Sequence, residues 1–102
     1  MPRALALRYL DVPDERRPAY LARLAERVAS ARGAAFHLWA FEAEGTPGRF
    51  VEFVETRDRA ALDTALLHDE LLAEALDFRH APPHGGAAPA PAWERFAGVA
   101  DS

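Results

Sequence analysis

The hydrophobic period of this chain changes several times, and each change marks an element. "ALALRYL" (Ala4 to Leu10) sets Leu5, Leu7 and Tyr9 against Ala4, Ala6, Arg8 and Leu10, the period of two that predicts a strand. "DVPDERRPAY" then offers Asp11, Pro13 and Asp14 as turn and N-cap residues and Glu15 for a first helical turn; Pro18 is tolerated only there. Leu21, Leu24, Val28 and Ala31 recur at three and four residues, which predicts an amphipathic helix with Gly33 as its C-cap. Two strands follow, Ala35 to Ala43 and Arg49 to Thr56, separated by the hairpin signal "EGTPGR". Asp58 is placed to cap a second helix whose apolar stripe, Leu62, Leu66, Leu72 and Leu76 with Leu67 and Leu71 beside it, runs to about Phe78. Beyond it "RHAPPHGGAAPAPA" supports neither a helix nor a strand ladder. "WERFAGVADS" closes the chain and reads either as a short helix or as an edge strand over residues 93–99.

The hairpin Phe36 to Glu55 is apolar on both alternating sets, so its register decides what the sheet buries. Pairing Glu44 with Arg49 leaves Gly45 to Gly48 as the connection and sets opposite charges against each other. In that register Phe36, Leu38, Ala40, Val51 and Phe53 share one face and suit the helices, which right-handed crossovers place on one side of the sheet. His37, Trp39, Phe41, Phe50, Glu52 and Val54 share the other. Three aromatic rings at ~150 to 250 Å² each represent on the order of 10 to 20 kcal/mol of gross hydrophobic free energy, enough to offset a cost of association of ~4 to 15 kcal/mol. A second copy of the chain, packed sheet to sheet about a two-fold axis, is the expected cover.

Composition narrows the function classes. With 102 residues the chain is expected to form an α+β domain over residues 1–80 with a Pro- and Ala-rich tail over 81–102. Half of its residues are hydrophobic and 27% charged, which separates it from disordered sequences. A formal charge of −4 provides no field for a polyanion, so nucleic acid is not an expected partner. No apolar run of ~18 residues predicts a membrane span, and the expected location is cytoplasmic. Cysteine and lysine are both absent, which excludes thiolate and Schiff-base chemistry; the all-arginine bias is that of a GC-rich genome.

The strand "ALALRYL", the helix "AYLARLAERVASARG", the hairpin and the helix "DRAALDTALLHDELLAEAL" together resemble the dimeric α/β barrel superfamily, which includes antibiotic-biosynthesis monooxygenases and stress-responsive barrel domains. The resemblance implies a ferredoxin-like β-α-β-β-α fold: antiparallel sheet, helices on one face, dimerisation through the other, and a pocket for small, often aromatic, molecules. A fourth strand is expected to be absent or degenerate, because the proline tract intervenes. The asparagine, tryptophan and histidine set of the haem-degrading branch does not map onto this chain, which has no asparagine.

Within the expected register His37 has Glu52 in reach, and Arg8 joins them if its set of the first strand points the same way. A histidine oriented by a carboxylate inside an aromatic pocket is suited to taking a proton from a phenol or an activated carbon, with arginine stabilising the anion. Trp39, Phe41, Phe50, Val54 and Tyr9 are the candidate walls, and no cofactor is expected. The competing reading makes Arg8 and Glu52 an ion pair and the whole face a surface for assembly, in a non-catalytic interaction or accessory module. No metal is expected: Pro82 and Pro83 break any helix between His80 and His84, and His68 beside Asp69 and Glu70 fits a solvated helix face. Ser30 and Ser102 lack a nucleophile-elbow context.

Overall fold

Hydrophobic alternation and stripe become, in the computed structural model, a four-stranded antiparallel sheet with two helices. The structure describes residues 3–79 and 93–99, the side chains of 74–79 excepted; His80, His84 and the tract up to residue 92 lie outside the described residues. Strand β1 (Ala4–Asp11) leads through a single 3-10 turn (Asp14–Arg16) into helix α1 (Arg17–Gly33). Strands β2 (His37–Glu42) and β3 (Arg49–Thr56) form the hairpin, α2 spans Arg59–Arg79, and β4 (Glu94–Ala97) ends the order. The strands lie β2-β3-β1-β4, every neighbour antiparallel. This is the expected α+β ferredoxin-like arrangement, and its fourth strand is present, though only four residues long, along the free edge of β1. The closing segment is therefore an edge strand.

Local chemistry sets the boundaries. Pro18 sits in the first turn of α1, where its missing N–H costs nothing. Asp58 caps α2 as anticipated, its Oδ1 accepting the Ala61 amide at 2.8 Å. The end of α1 differs from expectation: Gly33 is the last helical residue, and the left-handed position belongs to Ala35, with φ of 63°. The Phe36 amide donates to the Ala31 carbonyl and the Ala35 amide to that of Arg32, the paired bonds of a Schellman motif. In the hairpin Gly48 is required: at φ of 89°, a Cβ there would stand 2.6 Å from the Val12 carbonyl oxygen.

The hairpin register corrects the sequence reading. Glu42 faces Phe50 and His37 faces Glu55, and the Ala43 amide donates to the Arg49 carbonyl, so the pairing is shifted by one residue from Glu44 opposite Arg49. A one-residue shift turns every side chain of the moved strand over. Phe50, Glu52 and Val54 therefore lie on the helix side, not beside His37, while Val51 and Phe53 lie on the open side. Arg8, paired with Glu52, also faces the helices. The core comprises Ala4, Ala6, Ala31, Phe36, Leu38, Val54, Leu62, Ala65 and Leu66, with Leu24, Val28 and Trp93 packed against it. The Phe50 ring is buried against Tyr20, centroids 4.6 Å apart.

Candidate functional site

The open face follows directly from the registers, because residues paired across antiparallel strands share a side. Its first row runs His37, Glu55, Leu5, Phe96. The second runs Trp39, Phe53, Leu7, Glu94, and the third Phe41, Val51, Tyr9. Tyr9 is 60% exposed, Trp39 48% and Phe41 56%. The His37 and Trp39 rings stack with centroids 5.8 Å apart, and Phe41 meets Phe53 edge-on at 6.0 Å. Of the candidate site residues, the structure thus brings together His37, Trp39, Phe41 and Tyr9. It separates them from Glu52, Arg8, Phe50 and Val54, which lie through the sheet. The carboxylate opposite His37 is Glu55, whose Oε2 accepts from Arg3 Nε at 2.9 Å.

The other side of the sheet holds charge where a core is expected to be apolar. Glu52 has no exposed surface, Arg27 is 5% exposed and Asp69 3%. Glu52 Oε1 accepts from Arg8 Nε at 2.9 Å and Arg27 Nη2 at 2.8 Å, while its Oε2 accepts from Arg27 Nη1 at 2.8 Å and the Tyr20 hydroxyl at 2.6 Å. Arg27 also donates from Nε and Nη2 to the two Asp69 oxygens, each at 2.9 Å. Two guanidiniums and two carboxylates on β1, β3, α1 and α2 are joined into one network. Arg8 in turn lies 4.3 Å from the centre of the Trp93 ring, a cation–π contact that ties the approach to β4 to the same cluster.

Protonation follows from this geometry. Burial alone would push the Glu52 carboxyl up; the hydrogen bonds and charge of Arg27, the charge of Arg8 and the Tyr20 hydroxyl overcome it and bring it down to about 2. Burial likewise opposes charge on Arg27, and its bonds to Glu52 and Asp69 reverse that, holding it above the usual guanidinium range. Tyr20 is pushed up, first by burial and then by its bond to ionised Glu52. A general base works best with a pKa near the working pH and needs a free lone pair aimed at substrate. Glu52, ionised to about pH 2 and accepting four hydrogen bonds, is instead a structural anchor.

Arg27 and Tyr20 escaped the sequence reading, and Asp69, expected on a solvated helix face, is instead buried against Arg27. The signal was available: Arg27 falls within the stripe of Leu24, Val28 and Ala31, and Asp69 within that of Leu62, Ala65 and Leu66. A charge inside a buried stripe implies a partner of opposite sign facing it. Elsewhere, Ser30 Oγ and His68 Nε2 lie 2.7 Å apart and link the helices. Among the described residues no group of three or more histidine, aspartate or glutamate side chains is placed to hold a metal ion, and no helix is long and apolar enough to cross a membrane.

No family profile and no curated protein matches the sequence. Among solved structures the chain is similar to one described as the crystal structure of antibiotic biosynthesis monooxygenase, with a TM-score of 0.62 and 22% identity over 100% of both chains. The two share a fold, a ferredoxin-like α+β arrangement of four antiparallel strands and two helices.

Proposed function

We propose that the chain forms a homodimer through its open sheet face and that the space enclosed there receives a small hydrophobic or aromatic molecule. The carrying observation is the exposure of Tyr9, Trp39 and Phe41 on one continuous surface around His37. Contiguous apolar patches of this kind mark interaction surfaces, and a two-fold axis through the sheet covers each ring with its twin. The shared fold supports this reading, since the similar solved structure carries a monooxygenase's name.

Within the enclosed space His37 is the base and Glu55, held by Arg3, stands opposite to orient or neutralise it. Glu52 and Arg8 have no part in the chemistry, because both are committed beneath the sheet. Proton removal by His37 from an activated methylene leaves a carbanion that dioxygen can oxidise. The overall balance, methylene plus O2 giving carbonyl plus water, needs no external reductant and no cofactor. Without oxygen, return of that proton from His37 to another atom of the delocalised anion gives an isomerisation.

Sedimentation equilibrium on the wild type and on Trp39→Asp tests the assembly. A dimer with Kd in the micromolar range or below, weakened at least about 30-fold by the buried charge, is expected. A monomer at high micromolar concentration with Trp39 open to quenchers overturns the proposal. Titration with 1-naphthol, followed by Trp fluorescence, separates the functions: saturable binding to the dimer that weakens in His37→Ala supports the ligand site. A dimer that ignores 1-naphthol leaves the face as an assembly surface only.

A further inference from the structure

A cavity of about 400 Å³ lies on the helix side of the sheet, between the turn that joins α1 to β2, the end of β3 and the first turns of α2. Phe36, Thr56 and Ala65, all buried, form its inner wall, and Ala34, Ala35 and Ala61 surround them. The charged residues that line it, Arg57 and Asp58, face each other at 3.6 Å. A space of this size holds a small molecule, and opposed charges beside small apolar walls suit a neutral one.

One end of the cavity carries a nucleophile and a base. His68 lines it, and its Nε2 stands 2.7 Å from the Ser30 hydroxyl oxygen, across the gap between α2 and α1. Ser30 is one helical turn before Ala34, itself a lining residue, so the hydroxyl sits at the rim. The Phe36 ring meets the imidazole edge-on with centroids 5.8 Å apart and restricts its rotation. With the imidazole proton on Nδ1, this is the hydrogen bond that activates a serine. Because two helices build it, no nucleophile-elbow motif announces it in the sequence. Thr64, one turn before His68 on the same face of α2, also lines the cavity, and its hydroxyl makes a long bond of 3.3 Å to the Ala60 carbonyl.

We infer that Ser30 and His68 are a nucleophile and base that hydrolyse small neutral carboxylic esters, the acyl group lying in the cavity. His68 Nε2 takes the Ser30 hydroxyl proton as Oγ bonds to the ester carbonyl carbon, and the Thr64 hydroxyl turns from Ala60 toward the oxyanion. The ester C–O bond then breaks, and the alcohol leaves with the proton that His68 returns. Water repeats the sequence: His68 takes one of its protons, its oxygen joins the acyl carbon, and Oγ departs and recovers a proton from His68. Ester and water become acid and alcohol, with no change of oxidation state. Neither the open face nor His37 takes part, so this site stands whether or not the chain dimerises.

Hydrolysis of p-nitrophenyl butyrate and labelling by phenylmethylsulfonyl fluoride test the pair on the full chain. The wild type is expected to turn over the ester, and S30A and H68Q each to lose at least about 10-fold in kcat/KM. Peptide mass spectrometry is expected to find the sulfonyl group on Ser30, and not in H68Q. T64V is expected to lower kcat several-fold, and A61F, which fills the cavity, to raise KM several-fold. A pair that serves only as a latch between the helices predicts none of these changes. Equal turnover in S30A, or a label absent from Ser30, overturns the assignment. An unchanged KM in A61F overturns the placing of the acyl group.

Discussion

The two sides of the sheet invert the usual arrangement. Beneath it, where apolar groups are expected, lie Arg8, Arg27, Glu52 and Asp69; above it, where water is expected, lie Tyr9, Trp39, Phe41 and Phe53. The helix side tolerates its charges because each is answered: Glu52 accepts four hydrogen bonds and Arg27 donates four, and the two positive and two negative charges cancel. The open side has no such internal answer, and nothing in the described residues covers it. A charged interior can thus be complete within one chain while the aromatic surface is left without a cover among the described residues. The difference lies in whether the partners are covalently present.

The sharpest way to break this comparison is to remove one charge from below. Arg27→Met leaves Glu52 and Asp69 buried without their shared cation and is expected to cost about 3 to 5 kcal/mol in urea unfolding. Trp39→Ser on the open side, where the ring is half exposed, is expected to cost the monomer about 1 kcal/mol or less. Comparable losses for the two, measured at a concentration where sedimentation shows single chains, would mean that the network is not what holds the helices to the sheet.

Acid probes the same network without mutation. The Glu52 carboxyl lies at about 2 in the folded chain against an ordinary 4.5, so its contribution is fully present above pH 4.5 and is lost as pH falls from there toward 2. The loss is on the order of 3 kcal/mol. Glu42 is lowered as well, first by its bond from Arg17 and then by that from the Gly48 amide, and adds in the same direction. Denaturant midpoints measured from pH 6 to pH 2.5 should fall steeply in the wild type and less in Glu52→Gln. Equal slopes would assign the acid sensitivity to other carboxylates.

The elements were legible in the sequence, and the faces only in part. β3 was bounded to the residue, and the cap at Asp58 and the β-α-β-β-α order were readable because period, proline and aspartate are local signals. The site was half readable: His37, Trp39, Phe41 and Tyr9 do share a surface, whereas Glu52 and Arg8 were placed with them by a register chosen for a four-residue loop with Glu44 opposite Arg49. Nothing in that register looked wrong, because it also left Glu52 off the helix side, in keeping with the rule that burying a carboxylate is costly. The rule fails here because Arg27 and Tyr20 from α1 and Asp69 from α2 arrive at the same point, a long-range coincidence that a single strand's alternation does not report.

The smallest effect concerns what sets the phase of the two faces. β2 begins two residues after Ala35, and the left-handed turn there sends Phe36 into the core and His37 to the open side. An alanine at φ of 63° carries a steric cost of roughly 1 to 2 kcal/mol that glycine avoids, partly offset by the greater freedom glycine has in the unfolded chain. Ala35→Gly is therefore expected to stabilise the chain by about 0.5 to 1 kcal/mol, raising the melting temperature by a few degrees. Ala35→Val, β-branched at a positive φ, should lower it by more. Because the Schellman bonds from Phe36 and Ala35 persist in the glycine variant, Trp39 quenching should match wild type. A stabilised variant with altered quenching would show that the strain at Ala35, not the pairing with β3, decides which rings of β2 reach the surface.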